Sequence, residues 1–560
     1  MMGSFCVNRT EAAADGAGET LGTINRLATT SQSQRLAEQL RKPGSKESII
    51  PDYEPEKDEE GRPYPEPSFV LKEIEFKGNT VFPSPEFKEF YAPYIGQKVR
   101  LENLKKVAIA ITKKYRKAGY FLSYAAIPTQ TITDGKVKIQ VFEGYIDKAD
   151  IVFEEKTTSP SSRLVGMVQK IRKDRPLHQD TYERYLLLMQ ELYPNAKGYL
   201  EPSGKNKDGA ASLRIIIPKS QPVEGSIGGH NYANDTVGPL MSSVGVSVAP
   251  FWNPEHRLKA NYSQGNSASE LWTANVGYTL PLFSEGTSFS VNQLISRSQP
   301  RGKVKNFNIK MRDYRSTFTL MHPFVRSRDT NFYGGVELAI QNQRRIHGII
   351  NDLFKERSRN LKAFVMVNWK DRLKGANFMR LAGIQGLRIL REKQETDPNL
   401  TREKGAADRF YFEGEISRMQ HIAGPYAIGF YLMGQYAGNA LLGIDRYRSN
   451  GFPFNGAYPV GALAGDSGLE GKVELNYYNY DIQYFKLLRL FAYLSQVKIW
   501  NRNPTNIEQW SESAKGAGCG TQVVMENGLS ATLEYGYPFN SPVGGDSITP
   551  RVGFNLNWKF

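Results

Sequence analysis

The chain has 560 residues, a formal net charge of +15 and 40% hydrophobic residues. This length exceeds one ordinary domain, and no apolar run approaches the roughly 18 residues of a transmembrane helix, which excludes a helical membrane bundle. The lysines and arginines are dispersed and form no compact basic module, which disfavours nucleic-acid binding and favours attraction to anionic lipid head groups or to an acidic client.

The first 68 residues are predicted to form a tail, a helix and a linker. The tail, 1–19, has no apolar core, so no signal peptide is visible, and we expect the numbered chain to start downstream of its true export signal or after a replaced leader. Residues 20–42 carry apolar side chains at helical spacing and end before a proline, which predicts a helix. The segment 43–68 is rich in Pro, Glu, Lys and Asp and indicates an extended linker.

Two mixed α/β units follow, at 69–147 and 148–219, and each is of small-domain size. Their apolar periodicity switches between that of strands and that of helices. The predicted elements are strands at 69–76, from 119 and at 136–142 with a helix at 101–115 in the first unit, and strands at 151–153 and 213–218 with helices near 161–172 and 179–193 in the second.

From residue 220 to the end, apolar and polar residues alternate in segments of about ten residues, the length of a membrane-spanning strand. In the last segment the apolar face consists of Val552, Phe554, Leu556, Trp558 and Phe560. Alternate side chains of a strand point to opposite faces, so each segment is predicted to have a lipid-facing and a water-facing side. The count predicts a closed transmembrane β-barrel of about 16 antiparallel strands. Trp558 and Phe560 would form a carboxy-terminal assembly signal, because the last strand must pair with the first.

A soluble β-sandwich also shows this alternation. Charged residues are frequent on the polar face, as a water-filled lumen requires, and aromatic residues cluster at segment ends, as an interfacial girdle requires. These aromatic residues include Trp369, Tyr477, Tyr480, Trp500, Tyr535 and Tyr537. We therefore favour the membrane barrel.

The first α/β unit carries a distinctive run of residues. It comprises Ile74-Glu75-Phe76-Lys77-Gly78-Asn79-Thr80-Val81-Phe82, then Gly119-Tyr120, Ile127-Pro128, Asp134-Gly135 and Val141-Phe142-Glu143-Gly144. This run resembles the first POTRA domain of two-partner secretion outer-membrane transporters, the ShlB- and FhaC-like proteins. The order of helix, linker, two units and barrel extends the resemblance to nearly the whole chain.

The resemblance implies that 69–147 and 148–219 are POTRA domains in the periplasm, and that the helix at 20–42 plugs the barrel at rest. The POTRA domains would capture an unfolded, large secreted partner protein by adding its extended segment to a sheet edge. The barrel, in the bacterial outer membrane, would then pass that client to the cell surface.

The resemblance also implies a long loop that folds back into the lumen, with an Arg-Gly-aromatic tip followed by Gly-Asp-x-Gly. The segment at about 441–468 has a suitable length. Its matching residues are Asn450 at the place of the arginine, Arg446 and Arg448 as nearby substitutes, Gly451 and Phe452 as the Gly-aromatic pair, and Gly465, Asp466 and Gly468 at the end.

In this family the arginine pairs with an aspartate on a later inward-facing strand. The matching strand is 493–500, with Ser495 at the place of the aspartate. A buried carboxylate without its guanidinium typically costs about 3–5 kcal/mol, whereas losing both partners is nearly neutral. Two interpretations stay open, a divergent branch with another anchor for the loop or a shifted alignment, and we favour divergence.

The segment Gly465-Asp466-Ser467-Gly468 also matches the nucleophile motif of chymotrypsin-like proteases. That chemistry needs a histidine base and a buried aspartate, and the chain has no Ala-Ala-His-Cys-like segment. Cys6 and Cys519 lack metal-ligand spacing, and no phosphate-binding loop occurs. We therefore predict no enzymatic activity, no metal and no cofactor.

The predicted function is transport of an unfolded exoprotein by a monomeric barrel whose biogenesis uses the barrel-assembly machinery. One alternative is an insertase or scaffold for outer-membrane proteins with the same domain plan. The other is a passive porin, which has no use for two client-binding domains.

Overall fold

The computed structural model describes residues 68–560 except 155–158, 204–208, 220–222, 234–237, 300–307, 347–353, 396, 403, 453, 481, 505–507 and 542–548. The predicted tail at 1–19, helix at 20–42 and nearly all of the linker at 43–68 therefore lie outside the described residues. The described chain forms two α+β units followed by a closed barrel.

The first unit packs one long helix against a three-stranded sheet. Its elements are β1 (Phe69–Val70), β2 (Glu73–Lys77), α1 (Lys88–Tyr91), β3 (Lys98–Val99), α2 (Leu101–Lys117), β4 (Tyr124–Ala126) and β5 (Lys136–Phe142), with 3-10 turns at Ser84–Phe87 and Ala92–Tyr94. Apolar residues of α2 recur at three- and four-residue spacing, including Leu104, Ile111 and Tyr115, and this stripe is buried against the sheet.

The second unit has the strand-helix-helix-strand-strand order. Its elements are β6 (Tyr145–Phe153), α3 (Ser162–Lys173), α4 (Gln179–Leu192), β7 (Lys197–Pro202) and β8 (Ala210–Ile217). The Ser161 hydroxyl accepts a hydrogen bond from the Leu164 amide and caps α3. Both helices bury apolar faces on the sheet, in which β8 lies between β6 and β7.

Two boundaries differ from the sequence prediction. The predicted strand from 119 is a turn, with Gly119 at φ +92°, and β4 begins only at Tyr124. The unit boundary predicted at 147 falls inside β6, which already pairs with β8 from Tyr145. The chain passes from one sheet to the next at residues 143–144.

The remaining chain forms a closed antiparallel barrel of sixteen strands, which confirms the predicted fold class. In chain order the strands are β9 (Val223–His230), β10 (Met241–Val248), β11 (Arg257–Gln264), β12 (Leu271–Pro281), β13 (Ser288–Ser298), β14 (Lys310–Arg326), β15 (Thr330–Ile346), β16 (Phe354–Lys370), β17 (Gly375–Gly386), β18 (Phe410–Ala423), β19 (Tyr426–Ala437), β22 (Ser467–Asn479), β23 (Phe485–Trp500), β24 (Ser511–Met525), β25 (Leu529–Pro538) and β26 (Arg551–Lys559). The two short strands between β19 and β22 are β20 (Tyr447–Arg448) and β21 (Ala464–Gly465).

The strand β22 shows how the alternating pattern builds the wall. Leu469, Val473 and Leu475 are exposed on the outer surface, whereas Glu470 and Glu474 are buried inside the barrel. Apolar side chains outside and charged side chains inside are the arrangement of a membrane barrel with a polar lumen.

The barrel closes where β26 pairs with β9, from Asn555 opposite His230 to Lys559 opposite Ser226. The backbone of Phe560 continues this pairing with Gly225, at 2.7 and 3.0 Å. Trp558 and Phe560 are on the outer surface at the closing strand. Their use as an assembly signal stays a prediction.

The second unit is attached to one end of the barrel, which we call the near end. Glu255, in the turn after β10, is buried, and its carboxylate accepts hydrogen bonds from Arg163, Ser161 and Tyr193. Lys170 pairs with Glu285 on the next turn, and the Arg184 guanidinium donates to the carbonyl oxygens of Pro323 and Phe324 near the end of β14. The opposite end of the barrel is called the far end.

Among the described residues, no helix has the length and apolar character needed to cross a membrane.

Candidate functional site

The loop from 438 to 466, between β19 and β22, lies inside the barrel and is called the luminal loop. It contains a 3-10 turn at Gly443–Asp445 and a short hairpin in which β20 pairs with β21. Its larger side chains are buried against the inner wall; among them are Leu441, Tyr447, Phe452, Tyr458 and Leu463.

Asp466 joins the two ends of the luminal loop. The residue is 0% exposed. Its carboxylate accepts hydrogen bonds from the Leu441 amide at 2.8 Å, the Arg502 amide at 2.7 Å and the Arg402 guanidinium at 2.5 Å. Arg402 belongs to the loop between β17 and β18 and also pairs with Glu508 at 3.1 Å. One carboxylate therefore connects three far-end loops.

The other residues of Gly465-Asp466-Ser467-Gly468 have structural contacts. The Ser467 hydroxyl accepts from the Ala437 amide at 3.0 Å and donates to the Ala437 carbonyl at 3.2 Å. A Cβ on Gly468 would overlap the Tyr447 ring, so only glycine permits this close approach. The motif closes the loop, and its serine is engaged by backbone, which disfavours the protease interpretation.

Asn450, near the tip of the loop, is anchored to Glu470 of β22. The backbone amide and the side-chain amide of Asn450 donate to one carboxylate oxygen of Glu470, at 3.0 and 2.9 Å. The Tyr447 hydroxyl donates to the same oxygen at 3.0 Å. The assignment of Asn450 to the place of the arginine stays a prediction, and its partner in the structure is a glutamate of the strand that directly follows the loop.

Phe452 extends the tip to the closure of the barrel. Its ring stacks on Tyr232, with centroids 3.6 Å apart and planes at 17°. Tyr232 follows β9, and the neighbouring Asn231 side chain donates to the Val552 carbonyl and accepts from the Phe554 amide of β26. The aromatic residue of the tip therefore packs where the first and last strands meet.

A third anchor holds the returning half of the loop. The Gly456 amide donates to the Tyr493 hydroxyl at 2.9 Å, and this hydroxyl donates to Glu534 at 2.5 Å. A Cβ on Gly456 would overlap the Glu534 carboxylate, so the close approach requires glycine. The Tyr458 hydroxyl reaches the backbone carbonyls of Lys515 and Asn540, each at 2.7 Å.

The remaining predicted site residues have other contacts. Arg446 pairs with Glu508 at 3.2 Å and donates to Asn501 at 2.6 Å, and Arg448 donates to the Gly443 carbonyl at 2.9 Å. Ser495, predicted at the place of the aspartate, is buried, and its hydroxyl donates to the Gly516 carbonyl at 3.4 Å, within the barrel wall.

Sequence reasoning missed four anchoring side chains: Glu356, Arg402, Glu470 and Tyr493. Glu356 of β16 accepts from the Gly443 and Ile444 amides, at 3.2 and 3.0 Å, and so holds the turn at the start of the loop. For Glu356 and Glu470 the available signal was a charged residue at an inward-facing position of a barrel strand, but many inward positions carry charges. Arg402, in a far-end loop, and Tyr493, which is uncharged, carry no such signal.

In the first unit, the distinctive residues converge on Glu143. Its carboxylate accepts from the Thr80 amide at 2.6 Å, the Val81 amide at 2.8 Å and the Tyr115 hydroxyl at 2.7 Å, and also from the Thr80 hydroxyl. Burial opposes the ionised form, but these hydrogen bonds outweigh it and hold the pKa of Glu143 below its usual value. Burial and the neighbouring carboxylate raise the pKa of Tyr115 well above its ordinary value.

A family model described as POTRA domain, ShlB-type, matches residues 69–144. The heme/hemopexin transporter protein HuxB of Haemophilus influenzae is 21% identical over 73% of this chain and 72% of its own length. The outer membrane transporter CdiB of Escherichia coli is 24% identical over 53% of this chain and 50% of its own length.

Solved structures of such barrels share the fold. CdiB from Escherichia coli superposes with a TM-score of 0.74 at 16% identity, covering 97% of this chain and 99% of the other. The resemblance to two-partner secretion transporters is confirmed. The outer-membrane transporter relatives and the ShlB-type POTRA domain place the barrel in the outer membrane and the POTRA domain in the periplasm. CdiB from Acinetobacter baumannii gives a TM-score of 0.64 at 15% identity, covering 97% of this chain and 99% of the other.

Proposed function

We propose that this chain is an outer-membrane transporter that captures an unfolded exoprotein in the periplasm and passes it through the barrel lumen to the cell surface. The observation that carries the proposal is the luminal loop, which lies inside the barrel and is held there by side-chain contacts with the inner wall. Such a loop can be displaced without breaking the barrel wall, because its contacts with the wall are hydrogen bonds, ion pairs and side-chain packing rather than strand pairing.

The position of the second unit at the near end also supports transport from the periplasm to the cell surface. The second unit, which we propose to be POTRA 2, is docked on the periplasmic turns through Glu255 and the Arg184 contacts. A client held at this unit would be presented at the barrel entrance. The large exoprotein as client, the monomeric state and assembly by the barrel-assembly machinery are parts of this proposal, as is the absence of enzymatic activity.

The residues predicted to form a plug, 20–42, belong to the proposal as well. Deleting residues 1–45 should raise the ion conductance of the purified protein in planar bilayers. An unchanged conductance would count against a plug while leaving the transport proposal standing.

The decisive experiment immobilises the loop tip. In a background where Cys6 and Cys519 are replaced by serine, a short, reducible bis-maleimide should join the two thiols of an N450C/E470C variant, because the native side chains of this pair bridge the loop tip and the barrel wall. Export of the exoprotein should stop in the cross-linked variant and return after the linker is reduced. Each single-cysteine variant treated with the same reagent controls for the loss of the Asn450–Glu470 contact, and export that continues through the cross-linked barrel would refute the proposal.

The alternative is an insertase or scaffold for outer-membrane proteins. Its support is a similarity to BamA from Haemophilus ducreyi, with a TM-score of 0.52 at 15% identity over 88% of this chain and 100% of the other. Quantitative proteomics of a deletion strain separates the two functions. A transporter's loss removes one very large protein from the culture medium, whereas an insertase's loss lowers many barrel proteins in the membrane.

A further inference from the structure

The turn at 119–123, which follows α2 in the first unit, is packed against the second unit. Phe121 and Leu122 contact the buried apolar cluster of the second unit. The centroid of the Phe121 ring lies 5.7 Å from that of the Tyr182 ring in α4. This burial removes apolar side chains from water and so favours contact between the two units. We call residues 118–123, 143–144 and 177–179 together the joint.

The backbone is hydrogen-bonded across the joint. The Gln179 amide, at the start of α4, donates to the Gly119 carbonyl at 2.8 Å. The Leu177 amide donates to the Gly144 carbonyl, also at 2.8 Å. The Gly144 amide in turn donates at 3.0 Å to the hydroxyl of Ser123, which is fully buried. Separating the units would leave such groups without partners, and an unpaired buried backbone group is costly.

His178 lies between the two units and contacts both. Its Nδ1 accepts a hydrogen bond from the Asp180 amide at 3.2 Å and so caps α4. Its Nε2 lies 3.0 Å from the Ala118 carbonyl at the end of α2. A neutral imidazole that carries its proton on Nε2 satisfies both contacts. The ring also meets the Tyr120 ring edge to face, with centroids 5.2 Å apart.

Two glycines let the units approach each other this closely. Gly119 has a φ of +92°, and a Cβ at this position would overlap the His178 ring. A Cβ on Gly144 would overlap the backbone of Leu122. The preceding residue, Glu143, is held by hydrogen bonds of the first unit. The chain therefore crosses between the units without a free linker, which is where relative domain motion usually occurs.

We propose that the joint makes the two units a single rigid arm, in which Phe121 and His178 are positioning residues. The second unit is itself docked on the barrel through Glu255 and Arg184. A client bound to the first unit is then presented to the barrel in a constant geometry, and preorganisation of this kind lowers the entropy cost of the next contact. The effect on export rests on the proposed transport function, whereas the rigidity of the arm does not.

Spin-label distances between the units test the joint in the purified full-length protein without a client. The labels are placed on I109C in α2 and Q169C in α3, in the background that lacks Cys6 and Cys519. Both positions are exposed and outside the joint. The protein with an intact joint should give one narrow distance distribution.

The F121A/H178N variant should broaden this distribution about twofold or more, because domains without a tight apolar contact move relative to each other. Asparagine is a favoured helix cap, so H178N keeps a cap for α4 but loses the contacts with Ala118 and the Tyr120 ring. Hydrogen exchange within α2 and α4 verifies that both units stay folded, and F121A alone replaces the double variant if they do not.

The matched control is Y124A, which removes an aromatic ring close to the joint in sequence. The Tyr124 ring packs on Phe142 within the first unit, with centroids 4.9 Å apart. The control should leave the distance distribution narrow.

A cross-link across the joint distinguishes positioning from direct contact with a client. The Gln179 amide is bonded to the carbonyl of Gly119, the neighbour of Ala118, so a short bis-maleimide can join the thiols of A118C/Q179C. Export is measured as the amount of the very large protein that a deletion strain loses from its culture medium. F121A/H178N should lower export about fivefold or more, and the cross-link should restore it.

A distribution that is broad in the original protein, unchanged in F121A/H178N or equally broadened in Y124A would overturn the rigid arm. Export that stops when the original joint is cross-linked would show that the joint has to open, which also contradicts the proposal. Export that is unchanged in F121A/H178N, or falls and is not restored by the cross-link, would refute the positioning role. Because the distances are measured without a client, failure of the transport proposal leaves them unaffected.

Discussion

Asn450 donates both its backbone amide and its side-chain amide to a single carboxylate oxygen of Glu470, at 3.0 and 2.9 Å. Both residues are buried, and Glu470 is 0% exposed. An uncharged amide therefore holds the loop tip where the resemblance predicts a guanidinium, and its carboxylate partner is on the strand directly after the loop. This arrangement supports the interpretation that the chain diverged and anchors its loop differently.

Replacing Glu470 by alanine should free the tip of the luminal loop. The Asn450 amides and the Tyr447 hydroxyl would lose a buried acceptor, at about 1–3 kcal/mol for each unsatisfied group. We expect a larger open fraction in planar-bilayer recordings, by about tenfold or more. Glu413→Ala is the control, because this luminal carboxylate pairs with Lys362 on the barrel wall; equal conductance of the two variants would contradict the anchoring role.

Removing the Arg402 guanidinium should destabilise the far end. Asp466 would remain buried without its cation, and breaking a buried pair costs about 3–5 kcal/mol. Urea unfolding of Arg402→Ala in detergent should show this loss. Arg388→Ala breaks a pair with Asp408 in which the arginine is 75% exposed, so it should cost under about 1 kcal/mol. If the two variants lost similar amounts of unfolding free energy, the stabilising role assigned to the buried Arg402–Asp466 pair would be refuted.

The backbone amides of the loop at 78–82 should become less protected against hydrogen exchange as pH falls. The pKa of Glu143 is lower in the folded protein than its usual 4.5, so its stabilising contribution is complete above that value and disappears as pH drops through the folded pKa. Hydrogen exchange of the Thr80 and Val81 amides, corrected for intrinsic rates, should reveal this between about pH 6 and 3.

Glu143→Gln should remove most of that pH dependence, because an amide side chain does not ionise. Glu75→Gln is a control in the same unit, since Glu75 is exposed and contacts surface lysines. If Glu143→Gln kept the pH profile of the original protein, the carboxylate would not be the group responsible.

The buried contact of Glu255 should hold the second unit against the barrel. In Glu255→Gln, Arg163 loses its carboxylate, and we expect a broader distribution of spin-label distances between α3 and the turn after β16. The control is Glu285→Gln, which alters the exposed pair with Lys170 and should leave the distribution narrow. A distribution unchanged in Glu255→Gln would show that other contacts position this unit.

Alternation along the strands was sufficient to predict the barrel, because outward leucines such as Leu469 and Leu475 alternate with inward Glu470 and Glu474. The same pattern could not identify the anchors. Glu470 and Glu413 are both carboxylates at inward-facing strand positions, and only the folded loop shows that Glu470 contacts Asn450 and Tyr447. Ser495 was placed at the position of the loop's partner by the resemblance alone, and in the structure its hydroxyl contacts the barrel wall at Gly516. The strand predicted from 119 was wrong because the apolar run at 120–122 suits a strand and a turn equally well. Gly119 adopts a positive φ, which only the structure shows.

The contacts described here between the second unit and the barrel fall on the turns around Glu255, Glu285 and residues 323–328, which belong to one arc of the circular rim. The turns at 424–425, 480–484 and 526–528 belong to the opposite arc. The second unit therefore lies beside one side of the near-end opening of the barrel, and an incoming polypeptide meets an asymmetric entrance. We expect it to approach sideways along that domain rather than straight up the barrel axis.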